Sequence, residues 1–352
     1  MSRFFSAKYK NLTPYTPGEQ PQDRQFVKLN TNESPFPPSP FAVRLAREEA
    51  GRLELYSDPD CKSLVAAAAD CLGVGTDEVV FGNGSDEILG FAFAAFCDDE
   101  HPAIFADITY GFYTVFAEQN RVPYTEIPLA EDYTLRVEDY LGVRGTVFIA
   151  NPNAPTGIAL PKREIERIVA SDPDRVLVVD EAYVDFGAES CVDLIHKYDN
   201  LLVVQTFSKS RSLAGGRLGF AVGNAELIRD LNTLRFSTNP YNVNRMTMAA
   251  GVGALRDGDY FDFCRRKIMR TRERAAAELR ALGFDLTDSC ANFLFARHAG
   301  IGGKALYLKL KEKGVLVRHF EKERLYDYNR ITVGSDEQMD ILLQAVKEIL
   351  GE

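Results

Sequence analysis

The chain has 352 residues, 45% of them hydrophobic, and a formal net charge of −10. That balance can fill a large core and a smaller second one, and it excludes a disordered polymer or a protein built around a basic nucleic-acid groove. Six cysteines without a C-x-x-C pair and four histidines without H-E-x-x-H spacing argue against a disulfide framework and a zinc site.

In chain order, the first 40 residues are dense in Pro, Asn and Thr ("NLTPYTPGEQPQ", "NTNESPFPPSP"). Proline at that density resists both helix and central strand, so residues 1–40 read as an N-terminal arm. The start, "MSRFFSAKYKN", has no signal-peptide apolar region, and the longest apolar stretch, "ILGFAFAAFC" at 88–97, is too short to span a bilayer. A cytoplasmic protein without membrane attachment is expected.

A short strand then leads through "GNG" into a helix beginning near Ser85, with Ser85 as the candidate cap. The runs "AIFADI" (103–108), "TVFIAN" (146–151), "VLVVDEA" (176–182) and "LLVVQTF" (201–207) read as buried strands, separated by helical pieces such as "KREIERIVA" (162–170). This rhythm predicts an α/β fold: a large domain over 41–245 whose mostly parallel sheet is flanked by helices. Ligands of such sheets bind at the carboxyl ends of the strands.

Beyond about 245 longer helical patterns take over, and 246–352 reads as a smaller C-terminal domain. The basic stretch at 264–282 carries Ile268, Ala275, Leu279 and Leu282 at helical spacing, which makes it an amphipathic helix with a solvated polar face. Ser335 and Gln338 have capping-box spacing at the start of the last helix.

Three chemical features follow predicted strands. A glycine-rich turn opens a helix at Ser85, where free N–H groups favour an anion. Without a third glycine or a lysine after it, the turn is neither a dinucleotide fingerprint nor a P-loop. Asp180 ends an apolar run with Tyr183 three residues on, and Lys209 lies between hydroxyls with Thr206, Ser208 and Arg217 around it. A lysine to carry an aldehyde, a carboxylate for a protonated ring nitrogen and a phosphate cup together meet the requirement for pyridoxal 5'-phosphate.

With those residues in place, the sequence resembles the fold-type-I pyridoxal-phosphate aminotransferases, and among them most resembles the histidinol-phosphate aminotransferases. The strings "KLNTNESPFPPS", "LYSDPD", "GNGSDEIL", "ITYGFY", "NPNAPTG", "DEAYVDF", "TFSKSRSLAGGRLGF", "NPYNVN" and "RITVGS" occur in that family's order across nearly the whole chain. The resemblance implies that Lys209 carries the cofactor, Asp180 pairs with its ring nitrogen and Tyr183 bonds its 3-oxygen. It further implies that Tyr110 stacks on the ring and that Ser85, Asp86, Thr206, Ser208 and Arg217 surround the phosphate. Tyr56 is similar to a tyrosine that reaches the neighbouring subunit's cofactor, which implies a homodimer.

The family's usual N-P-N-N-P-T-G has an asparagine to the 3-oxygen where this chain has Ala154, so Asn153 or Tyr183 alone is expected to make up the contact. For substrate, the resemblance implies Arg330 and Arg318 as anion-binding arginines, with Tyr15, Asn32, Glu33 and Tyr241 lining the pocket. The implied reaction moves an amino group between L-histidinol phosphate and 2-oxoglutarate. A threonine-phosphate decarboxylase or a broad aromatic or aspartate aminotransferase stays open as an alternative.

Overall fold

Buried β-branched runs fix the centre of the molecule. The computed structural model describes residues 2–10, 12–21 and 24–351, so Met1, Asn11, Gln22 and Asp23 of the expected arm and the terminal Glu352 lie outside the described residues. Among the described residues the main sheet has seven strands, in the order Val79–Gly82, Gly219–Gly223, Leu201–Thr206, Leu177–Asp180, Thr146–Ala150, Ala103–Ala106, Tyr124–Ile127. Gly219–Gly223 runs antiparallel to both neighbours and the other pairings are parallel. The chain therefore has the expected α/β fold with a mostly parallel sheet.

Period-two alternation assigns the two faces of the sheet. Leu177 and Val179 join Ile149, Val203 and Phe220 in one core cluster. Val178 joins Phe105, Tyr113, Phe148 and Leu202 in the other, and full burial of each such side chain contributes on the order of 1.5–3 kcal/mol. The same alternation sends Asp180 to the Tyr113 side and Glu181 to the opposite one. Helix Lys162–Ala170 matches its predicted bounds, burying Ile165, Ile168 and Val169, exposing Arg163 and Arg167 and leaving Lys162, Glu164 and Glu166 half-buried.

A four-stranded antiparallel sheet, Arg318–His319, Tyr328–Thr332, Phe293–His298 and Phe284–Leu286, builds a second layer. Helix Gly258–Ala281 packs beside it through Ala275 and Leu279, so the basic stretch is amphipathic, but Arg272 departs from the expected solvated face: it is buried and donates to the Phe186 and Ala291 carbonyls. The last helix, Asp336–Leu350, begins with the expected reciprocal Ser335–Gln338 cap. Two connections tie the parts together. Val27–Lys28, from the arm, pairs in parallel with Val315–Leu316, while helix Arg245–Arg256 sends Met248, Val252 and Leu255 into the same cluster as Leu64 and Phe220. No described helix is long and apolar enough to cross a membrane.

Candidate active site

The strands that end on Gly82, Ala106, Ala150, Asp180 and Thr206 all finish at one edge of the sheet. Beside that edge lies a cavity of about 440 Å³, lined by Ser85, Asp86, Tyr110, Asp180, Tyr183, Thr206, Ser208, Lys209 and Arg217 together with Thr31, Glu33, Pro152 and Ala154. A parallel sheet concentrates side chains from distant segments in this way because each crossover returns the chain to the same edge.

Asp180 is buried, and its Oδ2 accepts from the Tyr113 hydroxyl at 3.1 Å while Oδ1 accepts from the Ala182 N–H at 3.2 Å. Burial raises its pKa to about 6 against the pull of these two donors. Lys209 donates from Nζ to the Thr31 carbonyl at 3.1 Å. Burial, reinforced by the Arg330 charge, lowers its pKa to about 8. At neutral pH the cavity thus holds a carboxylate mostly ionised and an amine within reach of its neutral form.

At the other end, helix Ser85–Phe96 starts without a side-chain cap. Gly84, not Ser85, holds the cap position at φ 85°, because a Cβ there would stand 2.5 Å from the Arg217 guanidinium. Gly219 is confined as tightly: a Cβ on it would lie 2.2 Å from the Ser85 nitrogen. Arg217, itself at φ 51°, donates to Ser208 Oγ at 3.3 Å and to Asp86 Oδ2 at 3.0 Å. Tyr110 donates its hydroxyl to Asp86 Oδ1 at 2.7 Å. Asp86 therefore braces Tyr110 and Arg217 through its side chain. Uncapped amides, two hydroxyls and a guanidinium on a glycine cradle suit a phosphate dianion, and the buried carboxylate with the lysine suits the pyridine ring and aldehyde of pyridoxal phosphate.

Tyr183 packs edge-on against Phe293 at 5.1 Å and accepts from Asn32 Nδ2 at 3.0 Å. Burial raises its pKa; the Arg330 charge and the Asn32 amide oppose that. Glu33 is paired with Lys28 at 2.7 Å, and although burial works against it, Lys28 and Thr31 hold its carboxyl below the usual range. Arg330 does not itself line the cavity, but its charge acts on Lys209 and Tyr183; it donates to the Asn30 carbonyl at 3.0 Å, with its Nε unpartnered and Arg318 opposite it across the strand pair. Arg318 donates both terminal nitrogens to the Thr16 and Pro17 carbonyls at 3.1 Å. Tyr15 stacks on Phe112 at 4.3 Å, near Tyr110.

Besides Tyr15, Asn32, Arg318 and Arg330, three more expected positions are absent from the cavity lining. Asn153 does not line this cavity, its amide donating to the Ile108 carbonyl at 2.9 Å and to Thr156 Oγ1 at 3.2 Å. Tyr56 and Tyr241 stack on each other at 4.5 Å on the surface and do not line this chain's cavity.

Residues 24–346 match the family model described as aminotransferase class I and II. The chain belongs to that aminotransferase family. It is 46% identical over 352 residues to a histidinol-phosphate aminotransferase of Brachyspira hyodysenteriae, covering 99% of each chain. It is 48% identical over 355 residues to histidinol-phosphate aminotransferase 1 of Bordetella parapertussis, covering all of both. In fold it is similar to the crystal structure of histidinol-phosphate aminotransferase from Sinorhizobium meliloti in complex with pyridoxal-5'-phosphate, with a TM-score of 0.90, 24% identity, and 100% of this chain and 98% of that one covered.

Two members of this aminotransferase's site escaped the sequence reading. Tyr113 sits one helical turn after Tyr110 and had a legible signal in that spacing, although an aromatic in a helix reads first as core. Thr31 acts through its backbone carbonyl, which no side-chain pattern announces.

Proposed function

We propose that this aminotransferase moves an amino group between L-histidinol phosphate and 2-oxoglutarate, giving imidazole-acetol phosphate and L-glutamate, a step of histidine biosynthesis. The observation that carries the reading is the single cavity joining Lys209 and Asp180 to the Ser85–Arg217 cup, within a chain at least 46% identical to the two histidinol-phosphate aminotransferases above. Pyridoxal phosphate, when bound, supplies an aldehyde to take up the amino group and a ring to withdraw electrons from the substrate's α-carbon. Asp180, ionised above about pH 6, holds the proton on the ring nitrogen. Lys209, with its lowered proton affinity, carries the cofactor and moves a proton to and from the α-carbon. Tyr183 and Tyr110, which both line the cavity, would hold the cofactor's 3-oxygen and ring. Thr206, Ser208, Arg217 and the amides of Ser85 and Asp86 hold the phosphate.

Arg330 and Arg318 bind the anionic ends of the two substrates, with Tyr15, Asn32 and Glu33 beside them. The active unit in this reading is a homodimer of cytoplasmic chains, in which Tyr56 and Tyr241 serve the neighbouring site. Support comes from the exposed apolar group of Leu53, Leu55, Tyr56 and Tyr241, which a second copy would cover, and from six free cysteines, which suit a reducing compartment. The arm, a large domain and a small C-terminal domain remain the proposed division of labour.

The test is a single-turnover reaction of the cofactor-loaded protein with histidinol phosphate, followed by cofactor absorbance, beside a carbon-dioxide assay with threonine phosphate. Amino transfer from histidinol phosphate is expected. Catalytic carbon-dioxide release without that transfer would replace the transaminase by the decarboxylase. For the dimer, mixing inactive Lys209→Ala chains with inactive Tyr56→Ala chains should regenerate activity, whereas a fully active monomer in sedimentation rejects it.

A further inference from the structure

Asn32 is the described residue best placed to do what Ala154 cannot. It is buried, at 1% exposure, and takes a left-handed backbone at φ 56°, a conformation asparagine tolerates better than most residues. Its backbone is held from two sides: its N–H donates to Thr332 Oγ1 at 2.9 Å, and its carbonyl accepts from Asn292 Nδ2 at 3.0 Å. The Thr332 hydroxyl in turn donates to Asn32 Oδ1 at 3.0 Å. This fixes the orientation of the amide. With the amide reversed, the buried Thr332 proton would lose its acceptor, so Nδ2 is the atom that faces the Tyr183 hydroxyl at 3.0 Å.

The consequence lies in the phenol. A hydroxyl that accepts a hydrogen bond from Asn32 keeps its own proton free to donate elsewhere. Tyr183 packs against Ala154, and both line the cavity. The alanine methyl offers no donor, and Asn153 is committed to Ile108 and Thr156. We infer that Asn32 is a positioning residue: by donating to Tyr183 it directs the phenol proton into the cavity, toward the 3-oxygen of the cofactor, and so compensates for the asparagine missing at position 154. The neighbouring Thr31 carbonyl holds Lys209, so one segment of the arm, anchored on Thr332 and Asn292, orients both groups that meet the cofactor. This inference rests on the proposed pyridoxal-phosphate site.

The test reads the bound cofactor's spectrum in the holoenzyme. A donor to the 3-oxygen spreads its negative charge and weakens its hold on the proton at the lysine-linked nitrogen, so loss of the donor raises the pH midpoint of the visible absorbance band. Asn32→Gly keeps the left-handed backbone, removes the amide and adds no charge. It is expected to raise the midpoint by about one pH unit and to weaken cofactor retention, and adding Ala154→Asn should return most of the shift. Asn32→Asp keeps the size and can accept but not donate; it should shift the midpoint in the same direction and serves if the glycine variant does not fold. A residue with a merely structural role would leave the midpoint where it was. An unshifted midpoint in a folded variant, or a shift that Ala154→Asn leaves untouched, overturns the inference. A wild-type protein that binds pyridoxal phosphate without any visible band at Lys209 overturns the site reading itself, and the inference with it.

Discussion

Methionine in place of Lys209 is expected to stabilise the cofactor-free protein at neutral pH while abolishing its chemistry. Burial first, and the Arg330 charge second, lower the lysine from 10.5 to about 8, so folding at pH 7 must hold an ammonium where a neutral amine is preferred. At about 1.36 kcal/mol per pH unit the difference amounts to about 3 kcal/mol. Two effects reduce the net gain. The Lys209 side chain keeps partial contact with the open cavity, where solvent screens the charge, and the substitution forfeits the bond to the Thr31 carbonyl, worth about 1 kcal/mol. A net gain of about 1–2 kcal/mol remains.

The sign follows from linkage. The unfolded chain binds more protons than the folded one between about pH 8 and 10.5, so wild-type stability rises with pH across that window. The cost is complete below about pH 8 and gone once the lysine is neutral in both states. Urea unfolding of both cofactor-stripped proteins should therefore show methionine ahead at about pH 7 and its lead lost by about pH 11. A variant less stable than wild type at neutral pH, or a lead that is the same at both pH values, would refute the reasoning.

Asp180→Asn removes a carboxylate that burial holds at about 6; the cofactor-free protein should gain stability above that pH, and turnover should fall by about thirtyfold to several thousandfold, the cost of breaking a desolvated charge pair. Stopped-flow kinetics that leave turnover unchanged would remove Asp180 from the chemistry. Gly219→Ala would set a Cβ 2.2 Å from the Ser85 nitrogen, so the helix start must shift and cofactor affinity should fall about tenfold or more with the fold intact; equilibrium dialysis checks this. Arg330→Ala should damage the glutamate half-reaction by about thirtyfold or more. Arg318→Ala should affect the phosphate-bearing donor more than glutamate, and single-turnover rates with each donor separate the two.

The sequence by itself determined the elements and the local chemistry. Strands such as Leu177–Asp180 declared themselves because every residue of a covered parallel strand must be apolar until the edge is reached. The same logic marked Asp180 and Lys209, since polar residues just past such runs fall at the ligand edge. The Ser335 cap and the helix Lys162–Ala170 were legible because their causes lie within a few neighbouring residues.

Only the tertiary structure decided who meets whom. Tyr113 finds Asp180 across 67 residues and Asn32 finds Tyr183 across 151, separations over which no periodicity carries information and only the tertiary packing of helix, arm and sheet sets proximity. Asn153 and Ala154 show the same limit at close range. They are adjacent in the chain, yet the fold turns the asparagine to Ile108 and the methyl to the cavity, because side-chain direction depends on the backbone path and on partners elsewhere. The carbonyls of Thr31, Thr16 and Pro17, which occupy Lys209 and Arg318, have no side-chain signature at all. Backbone groups are common to every residue, and only folding gives a particular one a role.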